Sequence, residues 1–455
     1  MTAVHLMEKA AGAMELIIIN QKETFAKGIA FNPYSRRHLL NVTTARMSAF
    51  PDRPDHFLDW VLRQDAFKDK NKALIAHAFL PRYLYGEYLS DIWKAALGTK
   101  PEGVQVKVLD AYVTDMDIPE HGVVLSLDTG ARIRADKGII ATGNHVPRNP
   151  SLPGKAFFSS RHYFRDPWKR EAVADTDNSR PVLIIGNGLT MVDTVLGLLE
   201  HGFHNVIFSV SPNGFNILPH RHGGMAYPQL AEALSADMSL REIVSLFNKH
   251  IKQVREFGLS AEPVVDAIRP FSQAIWQHFS EAEKRTFLAR LRHLWGVARH
   301  RIPTHIHDLL QQLRVDRQLE VYSGKLLDIC ETPDRITVHF FNKKSRGTET
   351  LEVGRVINCT GPETDLSRME GSFLKNAFSK GILIQDALKL GIEADPVTFE
   401  TINKKGEKQP RLFVLGSNLK GVLWESTAVH ELREQADRVA RHILTAPANK
   451  LVFAR

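Results

Sequence analysis

The run PVLIIGNGLTMVD at 181–193 constrains this chain more than any other stretch. A short apolar, β-branched segment leads into Gly-Asn-Gly and then into a second apolar segment of helical length. That order reads as strand, tight turn and helix. The turn wants the conformational freedom of Gly186, and a pyrophosphate lying against the backbone wants no side chain at Gly188. The helix opening there offers its first N–H groups and the positive end of its dipole to an anion. Such a glycine pair arises often by chance, and its rival reading is a purely structural turn. Here it sits between a strand and a helix, the setting in which it binds nucleotides. The third position of the fingerprint, usually Gly or Ala, is Met191, so helix and strand should pack less closely. A second strand, NVIFSVS at 205–211, completes half of a Rossmann fold. Its end, Ser211-Pro212-Asn213-Gly214, carries no acid to accept a ribose 2′-hydroxyl. With His220 and Arg221 close behind, that favours NADP over NAD.

At 455 residues the chain has room for two or three domains. Hydrophobic residues make up 43% and charged residues 24%, which excludes disordered, collagen-like and coiled-coil chains. No run approaches the roughly 20 apolar residues of a membrane helix. The N-terminus shows no secretory pattern, so the expectation is a cytoplasmic protein without a membrane partner. Cys330 and Cys359 form no CxxC pair, which argues against a dithiol centre or a zinc ribbon. The net charge of +8 suits anionic small molecules. Neither a zinc finger nor an RNP-like strand is present, and no nucleic-acid partner is expected.

Along the chain, residues 2–12 read as a helix and 14–20 as a buried strand. Helical patterning runs from 56 to about 97. Period-two alternation from 104 to 140 suggests an antiparallel meander of three strands, ending in Ala141-Thr142-Gly143. Residues 227–313 read as almost wholly helical. Strands return near 319–322, 336–341 and 351–358, ending in Cys359-Thr360-Gly361. A last strand at 411–415 meets Gly416 and Ser417, and a closing helix starts near Ser426.

Several polar residues invite a functional reading. Asp193, inside the first turns of the nucleotide helix, is either a hydrogen-bonding group near a cofactor or a partner for a neighbouring group. His220-Arg221-His222 and His305-x-His307 lack a carboxylate or cysteine at metal spacing, so they read as polar histidines and no metal is expected. The basic face of 281–293 reads as solvated surface, and Trp276 and Trp295 as core.

Two segments ending in Thr-Gly, at 141–143 and 359–361, bracket the Gly186 unit. The arrangement is similar to flavoproteins in which an NAD(P) domain is inserted into an FAD domain. More closely, the chain resembles the FAD/NAD(P)-binding family of the YdhS type, itself similar to flavin-containing and N-hydroxylating monooxygenases. The carriers are KGIAFNP (27–33), HLLNVTTARMSAFPDRPDHFLDW (38–60), PRYLYGEYL (81–89), GNGLTMVD (186–193), DAIRPFSQAIWQ (266–277), WGVARHR (295–301), INCTGP (357–362) and WESTAVHELREQA (424–436).

The resemblance implies an α/β fold with two Rossmann-like domains and a long helical insertion. The first FAD part would span 1–165, the NAD(P) domain 166–353 with the insertion at 227–313, and the second FAD part 354–455. FAD would lie near Asn20, Arg82, Ala141, Thr142, Gly143, Thr360, Gly361, Gly416 and Ser417. NAD(P) would lie on Gly186, Asn187, Gly188, Leu189 and Thr190, with Asp193 and Ser211 nearby. Asn20 stands where the family has a ribose-binding acid. The family's Ser-Arg-x-Gly after the second NADP-domain strand is Ser211-Pro212-Asn213-Gly214 here, which counts against NADP without reversing the balance. An FAD domain of this type opens with a strand and a glycine-rich turn before its first helix. Met1 is followed at once by a helix-like segment. The chain is therefore expected to begin inside its own first Rossmann unit, with a gap in the sheet beside residues 15–19.

The expected function is a flavin- and NAD(P)H-dependent oxidoreductase, plausible as a monooxygenase of a small molecule, with 227–313 selecting the substrate over the interdomain cleft. The chemistry would belong to the cofactor, and no catalytic acid or base stands out. The alternative is a nucleotide-binding sensor or assembly module without turnover.

Overall fold

The computed structural model describes residues 1–21, 25–221, 226–235, 237–369 and 372–445. The chain divides into two compact units. One comprises Met1–Asn32, Val42–Gly143 and Thr364–Arg455; the other comprises Pro33–Asn41 and Asn144–Glu363 and interrupts it in sequence.

The interrupting unit is built on a seven-stranded sheet. Its order is Gly347–Val353, Ile336–Asn342, Leu319–Glu331, Ile207–Ser211, Val182–Ile185, Arg355–Asn358 and Tyr163–Phe164. Pairing is parallel from Leu319–Ser323 onward, and antiparallel in the three-stranded ribbon at the other end. All four residues of Val182–Ile185 are buried, as a parallel strand covered on both faces must be. Helices Leu189–Glu200 and Thr304–Val315 bury Val195, Leu196, Leu310 and Leu313 with Val182, Ile184 and Ile357. The strand, glycine turn, helix and strand read from sequence are all present. The stretch expected to be helical contains Pro228–Ala233, Leu240–Glu256, Glu262–Ile268, Ser272–His278, Glu281–Thr286, Arg292–Arg299 and Thr304–Val315. Trp276 is fully buried there, packed edge-on to Phe287.

In the other unit, Met14–Ile19 pairs in parallel with Val104–Leu109. Gly138–Ile140 pairs in parallel with Leu412–Val414 of the strand Lys408–Val414, which also pairs antiparallel with Glu400–Ile402. The meander expected over 104–140 is corrected. Only Val113–Asp117, Val123–Leu127 and Arg132–Ala135 form it, while the segments on either side turn to parallel partners distant in sequence. Alternation reports that one face is buried, not which partner lies alongside. Among the described residues, Met14–Ile19 pairs with Val104–Leu109 alone.

The divisions between units fall at 143/144 and 363/364 rather than at 165 and 353. Tyr163–Phe164 and Arg355–Asn358 pair with each other, and the latter with Val182–Ile185, which ties both to the central sheet. Residues 33–41 join the same unit because they pack on the helix Leu189–Glu200. His38 Nε2 lies 2.9 Å from the Asp193 carbonyl, Ser35 bonds Glu200, and the Tyr34 ring covers Gly197.

Helix Thr2–Lys9 carries His5, which is 1% exposed, edge-on to Phe50 and 3.8 Å from Asp437 on the helix Val429–Thr445. Burial, aided by the Lys9 charge, pushes its imidazole down to about 4. Between pH 6.5 and 4 the unfolded chain therefore binds a proton at His5 that the folded chain refuses, and stability falls as pH drops through that window. Denaturation midpoints measured from pH 7 to 4.5 should show this loss. A His5→Leu variant should flatten the slope by one proton; an unchanged slope would refute the assignment.

Candidate functional site

The glycine turn that the sequence offers to a nucleotide is held by backbone geometry. Gly186 follows the strand with φ +113°, a conformation that L side chains rarely adopt. A Cβ there would lie 2.4 Å from the Cys359 carbonyl oxygen. The turn is thus pinned between Cys359, whose N–H donates to the Ile185 carbonyl at 2.8 Å, and Ser209, whose Oγ donates to the Gly186 carbonyl at 3.0 Å. Asn187 Nδ2 donates to the Phe215 carbonyl.

Gly188 is the N-cap of helix Leu189–Glu200, exposed, with no side chain capping the helix and nothing within 4 Å of a built Cβ. This open helix start fits a phosphate group: Leu189 and Thr190 sit in its first turn, and the dipole is positive there. Met191 fills the third fingerprint position by burying its side chain with Ile184, Val195 and Leu310. Asp193 is 5% exposed, so its side chain is interior while its carbonyl meets His38. Ser211 is mostly buried at the end of the second strand, where its Oγ accepts the Gly214 N–H at 3.0 Å.

Thr360 and Gly361 lie beside this turn, in the unit that carries Gly186, rather than with the second part of the proposed FAD half. Sequence reasoning missed Asn358, which organises this corner. Fully buried, it donates through Nδ2 to the Arg148 carbonyl at 2.8 Å, and its Oδ1 accepts from Thr360 Oγ1 at 2.7 Å. Its amide also meets the Tyr163 hydroxyl at 3.2 Å, which donates on to Asn149 Oδ1 at 2.8 Å. Burial raises Tyr163 to about 12, so it remains a protonated donor. The Cys359 thiol is likewise pushed up to about 12 by burial and rests 3.3 Å from Thr194 Oγ1. A thiol so protonated is a packing group, not a nucleophile.

In the other unit, two segments far apart in sequence meet. Ser417 Oγ donates to the Gly143 carbonyl at 2.6 Å, and Asn418 Nδ2 donates to Thr142 Oγ1 at 2.8 Å. Ala141, Thr142 and Gly143 are exposed at the end of Gly138–Ile140. Gly416, at φ +76°, already donates its N–H to Gln435 Oε1 at 2.9 Å. Gln435 Nε2 and Ser426 Oγ are buried donors without a partner among the described residues, which suits a polar group bound on this side. Asn20 follows Met14–Ile19, its N–H on the Leu109 carbonyl, and Arg82 opens helix Arg82–Thr99. Asn418 lay in no quoted motif, and Gln435 lay in WESTAVHELREQA without an assigned role; their place follows from pairing across the chain.

His220 and His307 are engaged within the protein. His220 Nε2 lies 2.9 Å from the Asn41 carbonyl, and His307 lies beside Asp308 and Gln311. His222 lies outside the described residues. No three His, Cys, Asp or Glu side chains among the described residues are grouped to hold a metal, and no described helix is long and apolar enough to cross a membrane.

Residues 1–145 match a family model described as FAD-NAD(P)-binding. No curated protein matches the sequence. Solved structures share the fold over nearly the whole chain. An ornithine N-hydroxylase from Kutzneria sp. 744, described with reduced FAD, NADP+ and L-ornithine, has a TM-score of 0.64 at 14% identity, covering 97% of this chain and 95% of that one. The ornithine hydroxylase of Pseudomonas aeruginosa has a TM-score of 0.62 at 12% identity, covering 97% of each. L-lysine 6-monooxygenase from Pseudomonas syringae has 0.59 at 15%, covering 94% and 98%. At these identities the likeness establishes the fold and nothing finer.

Proposed function

We propose that this chain is a flavin-dependent oxidoreductase that takes hydride equivalents from NAD(P)H and acts on a small molecule, as a monooxygenase. The observation that carries the reading is the open glycine-led helix start at Gly188, in a chain whose residues 1–145 match an FAD-NAD(P)-binding model. A flavin supplies the electron transfer that protein side chains cannot, leaving the protein to bind, orient and exclude water. Thr142, Gly143 and Ser417 would bind on the FAD side, and Gly186 through Thr190 would hold the nicotinamide dinucleotide. The helices from Pro228 to Val315 would select the substrate. Small amines are the first substrates to try, because the structural neighbours are named for ornithine and lysine. The finer family reading is the YdhS type, and the cellular setting is cytoplasmic.

The test is colour and turnover. The purified chain supplied with FAD should show a visible flavin band that NADPH or NADH bleaches and air restores. A colourless protein that binds nucleotide but never flavin would instead make it a binding module without turnover.

A further inference from the structure

Three strands set side by side bring a cation to the place where the nucleotide's adenosine ribose would lie. In the parallel register Ser323 stands opposite Ser211, and in the adjoining antiparallel register Gly324 stands opposite Asn342. The residue after Asn342 is Lys343, whose N–H donates to the Ser323 carbonyl at 2.8 Å. Ser211, Ser323 and Lys343 therefore form one row at the end of the second Rossmann strand. The Lys343 ammonium donates to the Pro212 carbonyl at 2.6 Å, and Ser323 Oγ reaches the same oxygen at 3.3 Å. An ammonium has three donors, and this bond engages one. Gly214, at φ +57°, closes the loop against Ser323 with a built Cβ 3.0 Å from the Ser323 Cβ, so the loop lies tight on this row. Further along the loop, Arg314 donates to Asn216 Oδ1 at 2.5 Å. Two acids on these strands are already engaged: Glu320 accepts from the Tyr322 hydroxyl at 2.5 Å, and Glu349 accepts from Asn342 and Ser345.

We infer that Lys343 is the residue that selects NADP, its ammonium binding the 2′-phosphate beside Ser211. The assignment rests on the nicotinamide-nucleotide reading of the Gly186 turn and deepens it. The strand end, Ser209 to Gly214, has neither a carboxylate to claim a 2′-hydroxyl nor an arginine; Arg221 comes only further along the loop, and the charge beside Ser211 comes from a hairpin more than a hundred residues later. A cation placed here gains from a phosphate dianion and gains little from a bare hydroxyl.

The experiment is calorimetric titration of the full chain with NADPH and with NADH. The wild type should prefer NADPH. Lys343→Ala should weaken NADPH binding about tenfold and leave NADH binding unchanged, Lys343→Arg should keep the preference, and Lys343→Glu should invert it. An unaltered NADPH affinity in Lys343→Ala, an equal loss for both nucleotides, or a wild type that prefers NADH would overturn the assignment while leaving the nucleotide site in place. A wild type that binds neither nucleotide would overturn the underlying reading and the assignment with it.

Discussion

Replacing Gly188 by valine should weaken NAD(P)H binding by at least about tenfold, roughly 1.4 kcal/mol, while the fold survives. The backbone at Gly188 has φ −105°, which a valine adopts without strain, and nothing lies within 4 Å of its built Cβ. The protein itself therefore gives the new side chain no reason to move. What the isopropyl group would occupy is the open space at the helix start, where a pyrophosphate would rest against the first N–H groups. Calorimetry against NADPH and NADH, with a denaturation midpoint alongside, separates the two effects. Unchanged affinity would remove this turn from the nucleotide site.

Gly186→Ala, two residues away, should do the opposite and cost the fold about 3 kcal/mol or more. At φ +113° an alanine is strained whatever the space around it, and here there is none. Its Cβ would stand 2.4 Å from the Cys359 carbonyl oxygen and 2.8 Å from the carbonyl carbon. Both are backbone atoms of a buried residue that directly follows the strand Arg355–Asn358 and is held by its own N–H on the Ile185 carbonyl, so neither yields cheaply. A drop in the urea midpoint with unchanged slope would confirm it. A midpoint equal to that of the parent chain would show that the turn relaxes and that Gly186 is not required by sterics. The pair distinguishes a glycine needed by the protein from one open to a ligand, although both sit in the same Gly-Asn-Gly.

What could be read from residues alone was everything that depends on local periodicity and on glycine. The strand at 182–185, its turn and its helix are legible because a fully apolar β-branched run, two glycines and an apolar helix leave few other solutions. The helical excursion and the two Thr-Gly turns were equally legible, as was Trp276 in the core. Partnership was not. Alternation over 104–140 gave one meander, whereas the structure splits it among three sheets, because period two records burial and not the neighbouring strand. Residues 33–41 lie on helix Leu189–Glu200 through His38, Ser35 and Tyr34, contacts that span some 160 positions of sequence. Asn358, Asn418, Gln435 and Lys343 acquire their roles only when distant segments meet. The sequence by itself determined that a strand, glycine turn and helix exist and where they are, since that depends on neighbours in the chain. The tertiary structure alone decided which side chains surround it, since hydrogen bonds and charge act over a few ångströms of space regardless of separation along the chain.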